Sequence, residues 1–531
     1  MTRRFKILIS DNISPKGIEL LEKVSQFDVE IATGLSPEEL KQKVKDAHAL
    51  IIRSATKVTA DVIEAAKDLK VIGRAGIGLD NVDIKTATQK GIVVMNAPEG
   101  NVVTTAEHTI AMLMALARNI PQATASLKAG KWEKKKFQGH ELYRKTLGII
   151  GLGRIGSIVA DRAKGLKMEV IAYDPFIRPE MAEKLGVEIV PLEELYKRAD
   201  FITIHTPLTP ETKYLIDKKA LAQMKDGVMI INCARGGIVN EADLYEAIQR
   251  GKVAGAALDV FEKEPPKDNP LLQLEKVICT PHLGASTKEA QTNVAVAIAE
   301  QIIDYLINGI VRNAVNVPSI SQELLSVLGP YLTLAEKMGA FHAQVVKDPI
   351  KEVEIEYIGD VTKIDTQPIK ISALKGLLTP IMGDQVNFVN AGFIATERGI
   401  QVKESKREIP TDFTNVIILK VRTEKGEEKS ITGTLFGKKE PRIVRLDGFA
   451  LEAIPAGHML LIQNVDRPGV IGNIGSILGK HQINIGRMHV GQDEITGQTL
   501  ILLSTNIPVP KPVLEEIKEL PHVMSAVSLE L

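Results

Sequence analysis

Thr146-Leu-Gly-Ile-Ile-Gly151-Leu-Gly153-Arg-Ile-Gly156, answered by Val170-Ile-Ala-Tyr-Asp174-Pro, is the stretch that decides the fold. An apolar strand runs into a Gly-x-Gly-x-x-Gly loop that opens a helix from Ile155 to about Lys164. Free backbone N–H groups and the positive helix end then face a pyrophosphate, and glycine is needed where a side chain would block it. Asp174 falls where a second strand should end. A carboxylate there accepts hydrogen bonds from a ribose diol and repels a 2′-phosphate, and no Arg stands beside it, so the expected cofactor is NAD rather than NADP.

Upstream of that loop, short apolar runs (Lys6 to Ser10, Ala49 to Arg53, Val71 to Arg74, Ile92 to Asn96) alternate with helical patterns such as Ala60 to Lys67. That alternation predicts a parallel α/β sheet. Gly73-Arg-Ala-Gly76-Ile-Gly78 also follows a strand, but its glycine spacing is reversed and it reads as a substrate-side loop. Thr104-Thr-Ala-Glu107 has the form of a capping box, opening a helix to about Asn119 that Ile120-Pro121 stops, with Ile110, Leu113, Met114 and Ala117 on a buried face. Downstream, strands are expected at Phe201 to Thr206, Val228 to Cys233, Val253 to Asp259 and Val277 to Pro281, and a helix from Lys288 to about Asn308.

These patterns divide the chain into a discontinuous first domain (1–98 and 285–317), a dinucleotide domain (99–284), a mixed domain (318–455) and a last domain (456–531). The mixed domain carries two charged turns, Glu404 to Glu408 and Glu424 to Lys429, and no catalytic motif. The last domain reads strand, helix, strand, strand, helix, strand, which is the ferredoxin-like order. The fold class expected is therefore α/β: two Rossmann-like doubly wound parallel sheets, then an α+β domain and a ferredoxin-like domain.

At 531 residues, several cores are required. Lys+Arg and Asp+Glu are 66 each, so the net charge of zero argues against a nucleic-acid or membrane-surface protein, and any anion site must be local. Two cysteines, Cys233 and Cys279, outside any C-x-x-C pattern, predict neither a disulfide framework nor a thiolate zinc site, and no metal is assigned. The first apolar run ends at Asp11, too short for a signal-peptide core, and no stretch reaches membrane-spanning length. A reducing cytoplasm is the expected compartment.

Three polar residues fall at or beyond strand ends of the dinucleotide domain: Arg235 in Asn232-Cys-Ala-Arg-Gly-Gly, Glu264 in Val260-Phe-Glu-Lys-Glu-Pro-Pro, and His282 in Thr280-Pro-His-Leu-Gly. Ligands bind at that edge of an open α/β sheet. A hydride leaving a secondary alcohol needs a base for the hydroxyl proton, and an imidazole titrates near neutrality. A carboxylate from Glu264 would orient His282 and favour its charged form, while Arg235 grips a substrate carboxylate bidentately and polarises the neighbouring carbonyl.

Gly151 to Gly156, Asn232-Cys-Ala-Arg235-Gly-Gly-Ile-Val, Ala257-Leu-Asp259-Val-Phe and Pro281-His282-Leu-Gly-Ala-Ser-Thr resemble the NAD-dependent D-2-hydroxyacid dehydrogenases. Arg53-Ser-Ala-Thr-Lys-Val, Gly73-Arg74-Ala-Gly-Ile-Gly-Leu-Asp-Asn-Val-Asp and the two C-terminal domains are more similar still to the long-form D-3-phosphoglycerate dehydrogenase branch of that family. The resemblance spans essentially the whole chain. It implies a catalytic set of Arg235, Glu264 and His282, with His282 as acid-base. It implies NAD contacts from Gly151, Gly153, Arg154, Ile155, Gly156, Asp174, Thr206, Cys233, Ala234, Arg235, Asp259, His282, Gly284 and Ala285. Substrate contacts would come from Arg53, Arg74, Gly76, Ile77, Gly78 and Asn101.

By the same resemblance, Lys134 in Lys131-Trp-Glu-Lys-Lys-Lys136 would reach a neighbouring subunit's site; read alone, the run is a solvated basic face. The third domain resembles an intervening domain of long-form enzymes, in which Lys438, Lys439, Arg442 and Arg445 would form either an anion patch or an ordinary charged loop. The last domain resembles ACT domains, with Asp466, Asn484 and Asn464 as contacts for L-serine, or else serves only in dimerisation. The activity implied is oxidation of 3-phospho-D-glycerate to 3-phosphooxypyruvate, the first step of L-serine biosynthesis, by a homodimer or homotetramer. A substrate with an anion at each end independently requires the second grip that Arg53 and Arg74 supply, and 2-oxoglutarate, also two-ended, is a candidate side substrate. The rivals are a glyoxylate or hydroxypyruvate reductase and a cofactor-sensing binding protein of the corepressor type.

Overall fold

Val, Ile, Leu and Ala fill the central strands of two all-parallel sheets without polar alternation, which is what helices on both faces demand, and only edge strands such as Phe27–Ile31 alternate. The structure is a computed structural model that describes residues 4–318, 322–408, 413–437, 439–493 and 497–531. The first sheet joins β1 (Phe5–Ile9), β2 (Phe27–Ile31), β3 (Ala49–Ile52), β4 (Val71–Arg74) and β5 (Val93–Asn96) in the order β2-β1-β3-β4-β5. The second joins β6 (Thr146–Ile150), β7 (Glu169–Tyr173), β8 (Glu188–Ile189), β9 (Phe201–Ile204), β10 (Val228–Asn232), β11 (Val253–Leu258) and β12 (Val277–Cys279) in the order β12-β11-β10-β9-β6-β7-β8. The chain runs outward from β6 to β8 and returns to β9, so β6 and β9 flank the point where winding reverses, the place such sheets bind nucleotides.

The glycine loop leads into helix Arg154–Gly165. Helix Lys288–Asn308 carries the chain back to the first sheet, with Ile298 and Ile302 packed in its core and Val315 N–H donating to the Val94 carbonyl (2.9 Å). A helix does pass between the sheets near Thr104, but it spans Val102–Ala117 with Asn101 at its N-cap and no side-chain cap bond. Thr104 and Glu107 are thus not a capping box. The hydroxyls of Thr105 and Thr109 donate instead to the carbonyls of Asn101 and Thr105 (3.0 and 2.9 Å). Met114 is exposed, and the helix ends at Ala117, just short of Ile120-Pro121, which opens the next helix, Ile120–Lys128, where proline suits the first turn.

The third sheet comprises β13 (Ile350–Gly359), β14 (Gln401–Arg407), β15 (Asn415–Thr423), β16 (Glu428–Phe436), β17 (Glu440–Leu446) and β18 (Phe449–Ala453), ordered β14-β13-β15-β16-β17-β18 and antiparallel except for β13 with β14. Glu404 to Arg407 is therefore strand, not the charged turn expected. Helices Gln322–Val345 and Gln367–Met382 cross closely beside this sheet: a methyl group on Gly339 would lie 2.1 Å from the Ala373 carbonyl oxygen, and one on Gly376 1.9 Å from that of Glu336. The fourth sheet is antiparallel, β20-β21-β19-β22, from β19 (His458–Val465), β20 (Ile485–Asp493), β21 (Gln498–Thr505) and β22 (Val523–Glu530), with helices Val470–Lys480 and Lys511–Lys518.

These units dock on one another. Phe388 and Val389 enter the first sheet's core while Asn387 Nδ2 donates to the Gly91 carbonyl (2.8 Å). Gln344 and Glu530 exchange side-chain-to-backbone hydrogen bonds between the third and fourth units (2.9 Å each). Among the described residues, no helix is long and apolar enough to cross a membrane.

Candidate active site

The carboxyl edges of the first two sheets face each other across a cavity of about 840 Å³, lined from one side by Arg53, Arg74 and Gly76 to Gly78 and from the other by Arg235, Glu264 and His282. Each side chain is set by its loop. After β10, Asn232 closes a tight turn, with Oδ1 accepting from Ala234 N–H (3.0 Å) and Nδ2 donating to the Arg235 carbonyl (2.9 Å). Arg235 then reaches across the cleft, its Nε donating to Asp80 Oδ2 (3.2 Å) and its Nη1 to the Ala234 carbonyl (2.8 Å). It passes over Gly78, where a methyl group would lie 2.2 Å from Arg235 Nη2. Glycine at 78 is thus what admits the guanidinium.

His282 stands in the left-handed region (φ 56°), an uncommon conformation for a residue with a Cβ, held by its N–H to the Asp259 carbonyl (2.9 Å). Asp259 is fully buried and clamps the same loop, accepting from Thr280 Oγ1 (2.5 Å), Leu283 N–H (2.7 Å) and Gly284 N–H (2.8 Å), with His108 Nε2 3.2 Å away. Burial disfavours its charge, but these donors outweigh burial and hold its carboxyl below the ordinary range. His282 Nδ1 lies 2.8 Å from Glu264 Oε2. A carboxylate only accepts, so Nδ1 carries the proton and Nε2 is left to act as the base. The Glu264 hydrogen bond raises the His282 pKa above its ordinary value against the effect of burial. For Glu264, burial pushes upward, and the bond and charge of His282 pull it below the usual range.

Arg74 is the most telling group. Burial, then repulsion from Arg235 and Arg53, lowers its pKa to about 10, and its Nε is buried with no hydrogen-bond partner. It remains a cation at neutral pH whose Nε has no acceptor. Asn101 Oδ1 and Thr206 Oγ1 are likewise buried, unpartnered and on the cavity wall.

Ile155, Thr206, Cys233, Ala234, Asp259, Gly284 and Ala285 line the same cavity. Gly151 has φ 93° and packs on the His205 backbone, and Gly156 sits against the Gly151 carbonyl, whereas a methyl group on Gly153 would meet nothing within 4 Å. Asp174 braces the loop, its Oδ2 accepting from Leu152 N–H (2.8 Å) and its Oδ1 from Phe176 N–H (2.9 Å). Open backbone at Gly153 and the orphaned Thr206 hydroxyl fit a bound dinucleotide. Burial pushes the Cys233 thiol up to about 12, so it is an inert wall. Arg154 pairs with Glu99 (3.4 Å).

Lys134 does not line the cavity of its own chain; the basic run is exposed, and Lys136 pairs with Glu275 (2.9 Å). In the last unit, Asn464 is buried with Oδ1 unpartnered, Asp466 Oδ2 accepts from Gln492 Nε2 (2.9 Å), and Asn484 is exposed. In the third unit, Lys438 lies outside the described residues, and Arg442 is already paired with Glu440 (2.7 Å) over the Phe436 ring. Asp80 and His108 were not anticipated. Asp80 could have been suspected from its place in the loop after β4, whereas His108 sits on a helix face with no motif around it.

Residues 110–284 match the family model of the D-isomer specific 2-hydroxyacid dehydrogenase NAD-binding domain, 327–447 that of the D-3-phosphoglycerate dehydrogenase intervening domain, and 458–522 that of the ACT domain. The chain is 49% identical over 528 residues to a D-3-phosphoglycerate dehydrogenase of Methanocaldococcus jannaschii, covering 99% of this chain and all of the relative. It is 48% identical to one of Archaeoglobus fulgidus over the same shares. The solved D-lactate dehydrogenase of Aquifex aeolicus complexed with NAD and lactic acid superposes on 59% of this chain and all of its own, with a TM-score of 0.53 and 29% identity. NAD is the cofactor of this fold, and the chain belongs to the D-3-phosphoglycerate dehydrogenase family of NAD-dependent oxidoreductases.

Proposed function

We propose that the chain oxidises 3-phospho-D-glycerate to 3-phosphooxypyruvate, the first step of L-serine biosynthesis. The observation that carries this reading is Arg74, a half-buried cation with an unsatisfied Nε beside Arg53 and Arg235. Such a cluster is stabilised by a ligand with anions at two ends. NAD, when bound against the glycine loop, Thr206 and Asp174, supplies the hydride acceptor. Arg235 grips the carboxylate and polarises the C2 oxygen, Arg53 and Arg74 meet the phosphate, and His282 Nε2 takes the C2 hydroxyl proton while Glu264 holds the resulting imidazolium. Gly76, Ile77, Gly78 and Asn101 shape the substrate side.

The division at 1–98 with 285–317, 99–284, 318–455 and 456–531 suits this chemistry, because the cleft between the first two units must open to exchange ligands. Reduction of 2-oxoglutarate is a side activity of the same two-ended grip. The last unit binds L-serine through Asp466, Asn484 and Asn464; the orphaned Asn464 Oδ1 supports that assignment. A homodimer or homotetramer in the cytoplasm completes the reading, with Lys134 reaching substrate only from a neighbouring subunit. The test is NADH formation on adding 3-phosphoglycerate to the chain with NAD, repeated with L-serine. Turnover that serine slows is the expected result, and no NADH would contradict the assignment. Arg74→Ala should raise the KM for 3-phosphoglycerate while leaving that for NAD unchanged; equal substrate affinity would remove Arg74 from the phosphate end.

A further inference from the structure

Three carboxylates are buried among the described residues, and two of them lie beside the cavity. A buried acid is costly unless its acceptors are filled. Asp259 fills its own by clamping the loop of His282, as described above. Asp11, just past the carboxyl end of β1 and 6% exposed, does the same for a different loop. Its Oδ2 accepts from the backbone N–H groups of Arg53 (2.5 Å) and Thr56 (3.2 Å), and its Oδ1 from the Thr56 hydroxyl (2.8 Å). From the opposite side, Asn81 Nδ2 donates to the carbonyls of Arg53 (2.7 Å) and Thr56 (2.6 Å). N–H groups are thus held by a carboxylate and carbonyls by an amide, so the short segment that carries Arg53 cannot drift without losing charge-assisted bonds. The Arg53 guanidinium is steered too, its Nη1 donating to the Asn12 carbonyl (3.3 Å). The Asp11 charge also counters, at Arg74, the burial that weakens that residue's hold on its proton.

We infer that Asp11 is a positioning residue for the phosphate grip: with Asn81 it holds the Arg53 loop at the spacing from Arg74 that selects a substrate whose far end is a phosphate. This rests on the reading in which Arg53 and Arg74 meet the phosphate. A carboxylate in this place sets selectivity rather than the proton-transfer step, because none of its partners touches His282 or Glu264.

The experiment compares kcat and KM for 3-phospho-D-glycerate and D-glycerate, with NAD, in the full chain and in Asp11→Asn, Asn81→Ala and Arg53→Ala. Asp11→Asn is nearly isosteric and removes the charge, leaving the Arg53 and Thr56 N–H groups at most a neutral acceptor. Its KM for the phosphorylated acid should rise about tenfold, the worth of one charge-assisted hydrogen bond, with kcat within about threefold. Its KM values for D-glycerate and NAD should be unchanged, so the preference for phosphate falls about tenfold. Asn81→Ala should shift the preference in the same direction and carries the test alone where Asp11→Asn fails to fold. Equal losses on both acids, or a lower melting temperature with the preference intact, would overturn the inference and leave a purely structural clamp. An unmodified chain with no preference for the phosphorylated acid removes the phosphate reading and this inference with it. A preference lost in Arg53→Ala but intact in Asp11→Asn removes this inference alone.

Discussion

At the scale of the residue, the pair His282 and Glu264 makes a pH dependence that can be worked out in sign. In the direction of oxidation the base must be neutral, and the Glu264 bond raises the His282 pKa above 6.5. The value of kcat/KM should therefore climb with pH through a midpoint above 6.5, and Glu264→Gln should move that midpoint down while lowering the rate about 10²-fold or more. A pH-rate profile checks both, and an unmoved midpoint in the variant would free Glu264 of its role. Stability follows the same pair. The raised His282 contributes below its unfolded pKa, and that contribution is lost as pH rises through the folded value. The lowered Glu264 contributes above about 4.5, and its contribution is lost on acidification, so the pair helps most between roughly 4.5 and 6.5. His282→Ala should abolish turnover with NAD affinity, read by calorimetry, retained. Arg235, Glu264 and His282, which line one cavity, could be picked out together because each follows a strand of a recognisable dinucleotide sheet. Asp80 could be suspected from its loop, but Asp11 and His108 could not, since a lone acid past a strand acquires meaning only when the Arg53 loop folds onto it, and a histidine on a helix only when Asp259 and Thr280 reach it.

At the scale of the element, the loops matter more than the strands they join. Gly78→Ala places a methyl group 2.2 Å from Arg235 Nη2, so the guanidinium must move and kcat/KM for substrate should fall about 10²-fold with little change in melting temperature. Asp174→Ala should narrow the preference for NAD over NADP; unchanged cofactor ratios in steady-state assays would contradict its ribose role. Helix Lys288–Asn308 was readable to the residue, since Thr287 caps it by accepting from Ala290 N–H and Gly309 ends it in the left-handed region. The charged stretch at Glu404 was misread because charge usually marks a turn. Here Lys403 pairs with Glu352 (2.6 Å), Arg407 with Glu356 (2.8 Å) and Lys370 with Glu404 (2.7 Å), so an edge strand keeps its charges and is protected by them. The false capping box at Thr104 has a similar cause: the local pattern was present, but the helix starts earlier, at Val102, and Thr105 bonds back to the Asn101 carbonyl instead.

At the scale of the whole molecule, the third sheet links the catalytic pair of sheets to the last unit, and its solvent face is a ladder of ion pairs from Glu352, Glu354 and Glu356 to Lys403, Arg407, Lys420 and Arg422. Exposed members of such a ladder are screened by salt. Raising salt to about 1 M should therefore lower the melting temperature of this unit, followed by calorimetry. Glu356 is almost fully buried, and Glu356→Gln should cost about 1–3 kcal/mol in denaturant unfolding. The two parallel sheets and the strand-helix order of the last unit were legible because each has its own periodicity, whereas the strands of the third sheet were not, because their alternation is masked by charge. The docking of Phe388 and Val389 into the first sheet was not, because nothing local marks an apolar pair as a plug. What unites these scales is a cleft in which three arginines and a histidine converge, and which under the proposed function grips two anions with a proton acceptor between them. The most direct test is the ratio of kcat/KM for 3-phospho-D-glycerate to that for D-glycerate, followed as NADH. Two guanidinium grips on the phosphate predict a ratio on the order of a thousand; a ratio near one would mean that Arg53 and Arg74 hold no phosphate, and the account would fail.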